Sequence, residues 1–218
     1  MIPGDPPPEI PPPGVPRRPR PLPDHPDPSG PQHIPVPLVE PTPPADPVDA
    51  LRSDRRLLLM GPLDHTTADR VCAELMLADG RASDPIELII NSQGGPVDAL
   101  PAVLDVVSLL RAPLATRCIG TAGGTAAVVL ASGTSRRSAT QRASVTLRLD
   151  DTHTLEGRVD EIRRGADQVT HLWRRIAEHV VAVSSLTPDE VADALRRGPY
   201  LAAPDALAVG LIDDVEGR

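Results

Sequence analysis

The chain has 218 residues, 28 of them proline, with 22 basic against 30 acidic side chains and a net charge of −8 at neutral pH. The prolines crowd into its first quarter, and the remaining stretch of about 170 residues has ordinary apolar content, which suits one folded domain behind a tail. Phosphate backbones need clustered cations, and here the arginines are scattered in short pairs over an acidic chain, so nucleic acid is excluded as an expected partner.

Residues 1–48 read as a disordered proline-rich tail. Runs such as Pro6-Pro7-Pro8 and Pro11-Pro12-Pro13 remove backbone donors and fix φ, and almost nothing between them can be buried. Within the tail, Arg20-Pro21-Leu22-Pro23-Asp24-His25-Pro26 fits a pattern that aromatic grooves read on a polyproline helix, although so proline-dense a segment also serves as a spacer. A domain is expected over 54–216. It begins with a strand from Arg56 to Met60, ended by Gly61-Pro62, and a helix from Thr66 to Asp79 with apolar spacing through Val71, Leu75 and Leu77 and a threonine able to cap its start. Ile86 to Ile90 is a second buried strand, Gln93-Gly94-Gly95 a tight turn, and Val97 to Leu110 a helix whose Pro101 requires a short or irregular start. Leu114 to Ile119 is a third strand, Thr125 to Ala131 a helix, and Ser144 to Leu149 a fourth strand. Such alternation implies an α/β domain with a largely parallel sheet, and right-handed crossovers bring strand ends and their turns to a common edge.

The stretch from about 155 to 183 is different in kind. Leu155, Val159, Ile162, Val169, Leu172, Trp173, Ile176, Val180 and Val183 follow three-and-four spacing. At about eight turns the helix is longer than a small domain can cover, so it is expected to protrude and pack on a partner, the alternative being a helix laid along its own core. Thr187-Pro188-Asp189-Glu190 starts another helix, and Ala203 to Val209 is a last short one. Cys72 and Cys118 sit inside apolar runs and read as buried hydrophobes of a reduced protein, with neither metal nor disulfide. No run of about 18 apolar residues occurs and no leader is visible, so a cytoplasmic protein without a membrane partner is expected.

From about Arg56 to Val215 the order of motifs resembles the Clp protease proteolytic subunit, a serine peptidase of the ClpP/crotonase superfamily. The resemblance is carried by Gly61-Pro62-Leu63-Asp64, Ile90-Asn91-Ser92-Gln93-Gly94-Gly95, Gly120-Thr121-Ala122, the long helix, and Tyr200-Leu201-Ala202-Ala203-Pro204-Asp205-Ala206 leading to Gly210-Leu211-Ile212-Asp213. It implies a spiral of strand-strand-helix units and a handle helix over about 155–183 that joins two rings. It also implies a homo- or hetero-oligomeric ring of Clp subunits, an AAA+ ATPase as a further partner, and no cofactor.

The resemblance further implies where the catalytic triad should stand, and those positions hold Gly124 for the serine, Arg148 for the histidine and Ala194 for the aspartate, with Asp193 one residue away. The chemistry needs a hydroxyl whose proton an imidazole accepts, oriented by a carboxylate. Glycine has no side chain and arginine keeps its proton, so a catalytically inactive subunit of an ATP-dependent degradation ring is expected. The family's oxyanion-binding amides correspond to Gly94, Gly95 and Thr125, which serve equally well as a tight turn, and Pro96 lacks an amide donor. Two alternatives stay open: an active serine endopeptidase with shifted residues, such as a Thr125–His153 pair beside Asp151, or a crotonase-type acyl-CoA-binding protein that uses the backbone alone. His65, His171 and His179 fall away from the expected pocket.

Overall fold

The computed structural model describes residues 46–149 and 158–217; the proline-rich segment with its Arg20–Pro26 motif lies outside them, as do Asp151, His153 and Leu155. The unit begins with a short helix, α1 (Pro47–Ser53), capped by Asp46. There follow β1 (Arg56–Met60), α2 (His65–Arg81), β2 (Ile86–Ser92), a 3-10 turn (Val97–Ala99) leading into α3 (Leu100–Leu109), β3 (Leu114–Gly123) and α4 (Thr125–Ala131). The rest is β4 (Arg136–Thr140), β5 (Ser144–Thr146), α5 (Val159–Val183), α6 (Pro188–Arg197), β6 (Leu201–Ala202), α7 (Ala203–Ala208) and β7 (Asp214–Glu216).

Five strands lie side by side in the order β1-β2-β3-β4-β7, each pairing parallel to its neighbour. Strand β3 is long enough to serve two partners. Its first half runs beside β4, with Cys118 opposite Ala139, and its second half runs beside β5, with Gly123 opposite Thr146. β6 closes onto β5 antiparallel. The sheet therefore forks at β3, and the fork carries the turn into α4 away from the flat part of the sheet.

Period-two alternation decides which strand face enters the core. Ile86, Leu88 and Ile90 of β2 are buried beside Leu57 and Leu59 of β1 and Leu114 and Cys118 of β3. Against that face α2 buries Ala68, Val71, Leu75 and Ala78, and α3 buries Leu100, Val103 and Val107; of the three positions expected along α2, Val71 and Leu75 are buried whereas Leu77 falls on the outer side and is exposed. Every residue of α4 is buried and none carries charge, so this helix runs through the middle of the core. Each aliphatic side chain so buried is worth about 1.5–3 kcal/mol relative to exposure.

Polar bonds fix the helix ends. Asp64 accepts the Thr67 N–H at 2.8 Å, and those bonds hold its carboxyl below the usual range. Thr187 and Glu190 form a reciprocal capping box at the start of α6. Arg137 joins three distant pieces: its guanidinium donates to the carbonyls of Ala131, Val183 and Gly210 and pairs with Asp213. The ends of α4 and α5 and the turn after α7 are thus held by one side chain.

The 25 residues of α5 divide into two halves. Ile176 and Val180 are buried and Trp173 packs at the core margin, whereas from Val159 to Arg175 no residue is fully buried and Val159 is 76% exposed. The fold is the expected α/β architecture with a largely parallel sheet. Four elements were not legible in the apolar pattern: α1, β4, β6 and β7. The expected strand over Ser144 to Leu149 is paired only through Thr146. Among the described residues no helix is long and apolar enough to cross a membrane.

Candidate functional site

Strand β2 ends in Asn91-Ser92, the chain turns through Gln93-Gly94-Gly95, and this turn lies against the point where β3 passes into α4. At that point Gly124 adopts φ 50° and ψ −119°, a backbone state that side chains disfavour, so glycine is the residue the turn admits most readily. Its N–H donates to Thr146 O at 2.8 Å, which ties the turn to β5. A Cβ placed on Gly124 would stand 3.0 Å from the carbonyl oxygen of Arg148.

A cavity of about 730 Å³ opens over this junction. Gly124 and Arg148 both line it, so the structure brings these two expected positions together, with the side chains of Asn91, Gln93 and Thr121 around them. Ala194 lies elsewhere, in an adjoining groove of about 420 Å³ that it shares with Asp193, Leu147 and Pro199. The two places are stitched to each other, because Leu149 N–H donates to Leu195 O at 2.9 Å and the Thr146 hydroxyl donates to Gly198 O at 3.2 Å. The neighbouring carboxylate, Asp193, is paired with Arg197 one helical turn on.

Two of the three amides expected to face an oxyanion have acceptors inside the protein. Gly94 N–H donates to Ser92 Oγ at 3.0 Å and Gly95 N–H to Thr125 Oγ1 at 2.9 Å. Thr125 Oγ1 also lies 3.4 Å from Gly95 O, so this buried hydroxyl bridges both polar groups of one glycine. The third amide, that of Thr125, belongs to the first turn of α4, where helix geometry supplies no internal acceptor. The Thr125 hydroxyl, the nearest one to Gly124 in the chain, is thus committed to holding the turn.

Among the described residues, the three histidines each have a polar neighbour within the chain. His65 pairs with Asp98 at 3.5 Å on the surface, and His171 Nδ1 lies 3.1 Å from an Arg174 nitrogen. His179 Nε2 is 2.8 Å from Ser132 Oγ, a contact that sequence spacing did not reveal. Ser132 Oγ also lies 2.7 Å from Val128 O, so this hydroxyl ties the imidazole to the backbone of α4, and neither Ser132 nor His179 is among the described residues that line the cavity at Gly124. Burial lowers the pKa of His179 and pushes the Cys118 thiol up to about 12. Among the described residues no cluster of His, Cys, Asp and Glu could hold a metal ion.

The sequence profile of the Clp protease family matches residues 43–218. The chain belongs to the Clp protease family. It is 35% identical over 174 residues to an ATP-dependent Clp protease proteolytic subunit-like protein of Streptomyces coelicolor, a match covering 78% of this chain and 82% of that one. It is 32% identical to ATP-dependent Clp protease proteolytic subunit 4 of Streptomyces avermitilis over 78% of this chain and 76% of that one. It is also 32% identical to proteolytic subunit 2 of S. coelicolor, over 78% and 79% respectively. Membership extends through α1 to the C-terminal strand, so the Clp family fold, rather than the site motifs alone, is what the chain shares with these relatives.

Proposed function

We propose that this chain is a catalytically silent proteolytic subunit of a cytoplasmic Clp assembly. Family members ordinarily form oligomeric rings with Clp subunits. In this reading the chain takes a place in such a ring, alone or among active paralogues, and changes the composition of the chamber or the docking of an AAA+ ATPase without cutting.

Gly124 is the observation that carries the reading. It heads α4 where β3 turns over, the place the resemblance gives to the nucleophile, and it offers no atom to attack a carbonyl. Two further features support the silence: arginine rather than imidazole beside it at 148, and a Gly95 amide engaged by Thr125. In serine proteases of the subtilisin type, removing the triad costs on the order of a millionfold in turnover. The exposed apolar residues of α5, Val159 and Ile162, support a role in assembly.

The test is affinity purification of the tagged full chain from its own cytosol, with mass spectrometry of the partners and a fluorogenic peptide assay on the same sample. Active Clp subunits should copurify, and their serines should account for all cleavage. A chain that comes alone and cleaves peptides in a manner blocked by an active-site serine reagent sinks the reading.

A further inference from the structure

The C-terminal end of the chain is held differently from the rest of the sheet. Leu211 and Ile212 are fully buried, but in β7, which follows them, no residue is. β7 pairs with β4 from Ser138 opposite Asp214 to Thr140 opposite Glu216, and among the described residues no strand lies on its other side. In place of burial this edge strand has charge. Asp213 is paired with Arg137, Asp214 with Arg136, and Glu216 with Arg117 at 3.2 Å and Arg136 at 3.5 Å. Glu87 carries the row on, 2.9 Å from Arg117 and 3.4 Å from Arg56, so alternating charges cross the sheet from β7 to β1.

Two features make this attachment releasable. Arg136 and Asp214 are each about half exposed, and pairs so open to water are weak and screened by salt. At the inner end of the row Arg117 Nε and Glu216 Oε1 are buried without a hydrogen bond, because their ion pairs lack hydrogen-bond geometry, and water would satisfy both atoms on release. Release reaches α5 through Arg137. Its N–H donates to Asp213 Oδ2 at 2.9 Å, and Asp213 N–H donates to Arg137 O at 2.7 Å. The guanidinium held there also donates to Val183 O, the last carbonyl of α5, and just beyond it Ser185 N–H donates to Val209 O at 3.0 Å. We propose that the C-terminal strand is a salt-releasable clasp on the root of α5. Docked, it fixes through Arg137 the end at which α5 joins the core; released from Asp213 onward, it frees that end while Leu211 and Ile212 stay buried. The exposed half of α5 thus takes its direction from the state of β7.

The experiment is amide hydrogen exchange of the full chain, read by mass spectrometry at one pH in about 0.05 M and about 1 M NaCl, where the screening length falls to about 3 Å. Amides of residues 214–216 should exchange at least about tenfold faster at the higher salt, and the Ser185 amide should lose protection with them. Amides of α2 and α3 should not change. Neutralising the strand with Asp213→Asn, Asp214→Asn and Glu216→Gln together should give fast exchange at both salts. Glu216→Gln alone, which leaves Asp213 on Arg137, should give an intermediate rate and a reduced salt effect, and it serves as the test if the triple variant does not fold. Equal protection of 214–216 at the two salts overturns the proposal, as does a salt effect that persists undiminished in these variants. Opening of β7 that leaves Ser185 as protected as before overturns the link to α5. Faster exchange in α2 and α3 to the same degree means loosening of the whole fold and overturns the clasp.

Discussion

The turn that carries Gly124 and the first half of α5 are built on opposite principles. At the turn three backbone amides are matched within the chain: Gly94 to Ser92, Gly95 to Thr125, and Gly124 to Thr146. Along α5 from Val159 to Arg175 the chain spends a strongly amphipathic sequence and buries almost none of it. The difference separates a turn whose amides are largely bonded within the chain from a helix half that leaves Val159 and Ile162 exposed, the kind of apolar surface that suits another protein.

The largest expected effect breaks the first side of that comparison. A Cβ on Gly94 would run into the Gly123 carbonyl, at a φ of +85° that L residues avoid. Gly94→Ala should therefore cost about 3 kcal/mol or more, read as a fall in the urea midpoint, or prevent folding outright. Ile176→Ala, at the buried root of α5, should cost about 2–5 kcal/mol. Ile162→Ser, on the same helix but in the exposed half, should change stability by no more than about 0.5 kcal/mol while lowering the sedimentation coefficient of any assembly. If Ile162→Ser destabilises the chain as much as Ile176→Ala, the two-halves description of α5 is wrong.

Smaller effects sharpen the account of the turn. Thr125→Val leaves the Gly95 N–H without its acceptor and should cost about 1–3 kcal/mol in denaturant titrations, with Thr125→Ser restoring most of it. His179 gives the smallest and most specific signal. Burial depresses its folded pKa, so the unfolded chain binds protons first, and stability is fully present above an ordinary value of about 6.5 and declines as pH falls below it. His179→Gln, which keeps a donor for Ser132, should flatten the dependence of the melting temperature on pH between about 5 and 7. An unchanged slope would place the acid sensitivity elsewhere.

Much of the fold was legible because apolar spacing did the work. β1 and α4 were delimited to the residue, and along α2 the apolar spacing found the buried Val71 and Leu75 but misplaced the exposed Leu77. What escaped were elements held by polar or tertiary bonds. β4 reads Arg-Arg-Ser-Ala-Thr, and its pairing is supported by Arg136 with Asp214 and Arg137 with Asp213, partners about 76 residues away. The two-residue β6 has no period to detect. At the site, the glycines and the order of motifs announced the turn, and Gly124 and Arg148 do meet across one cavity. The engagement of Gly95 by Thr125 and of Ser132 by His179 depends on contacts 30 and 47 residues apart, which no local pattern encodes.

The central claim is that the chain cannot cleave by itself, and turnover of a fluorogenic peptide by the full chain is its most direct test, using protein made in a host stripped of other Clp subunits, with Gly124→Ser run alongside. Both should show no turnover above the uncatalysed rate, since a serine there would face Arg148 rather than a base and its Cβ would crowd the Arg148 carbonyl. Peptide cleavage by the parent chain, inhibited by a serine-directed reagent, would contradict the account.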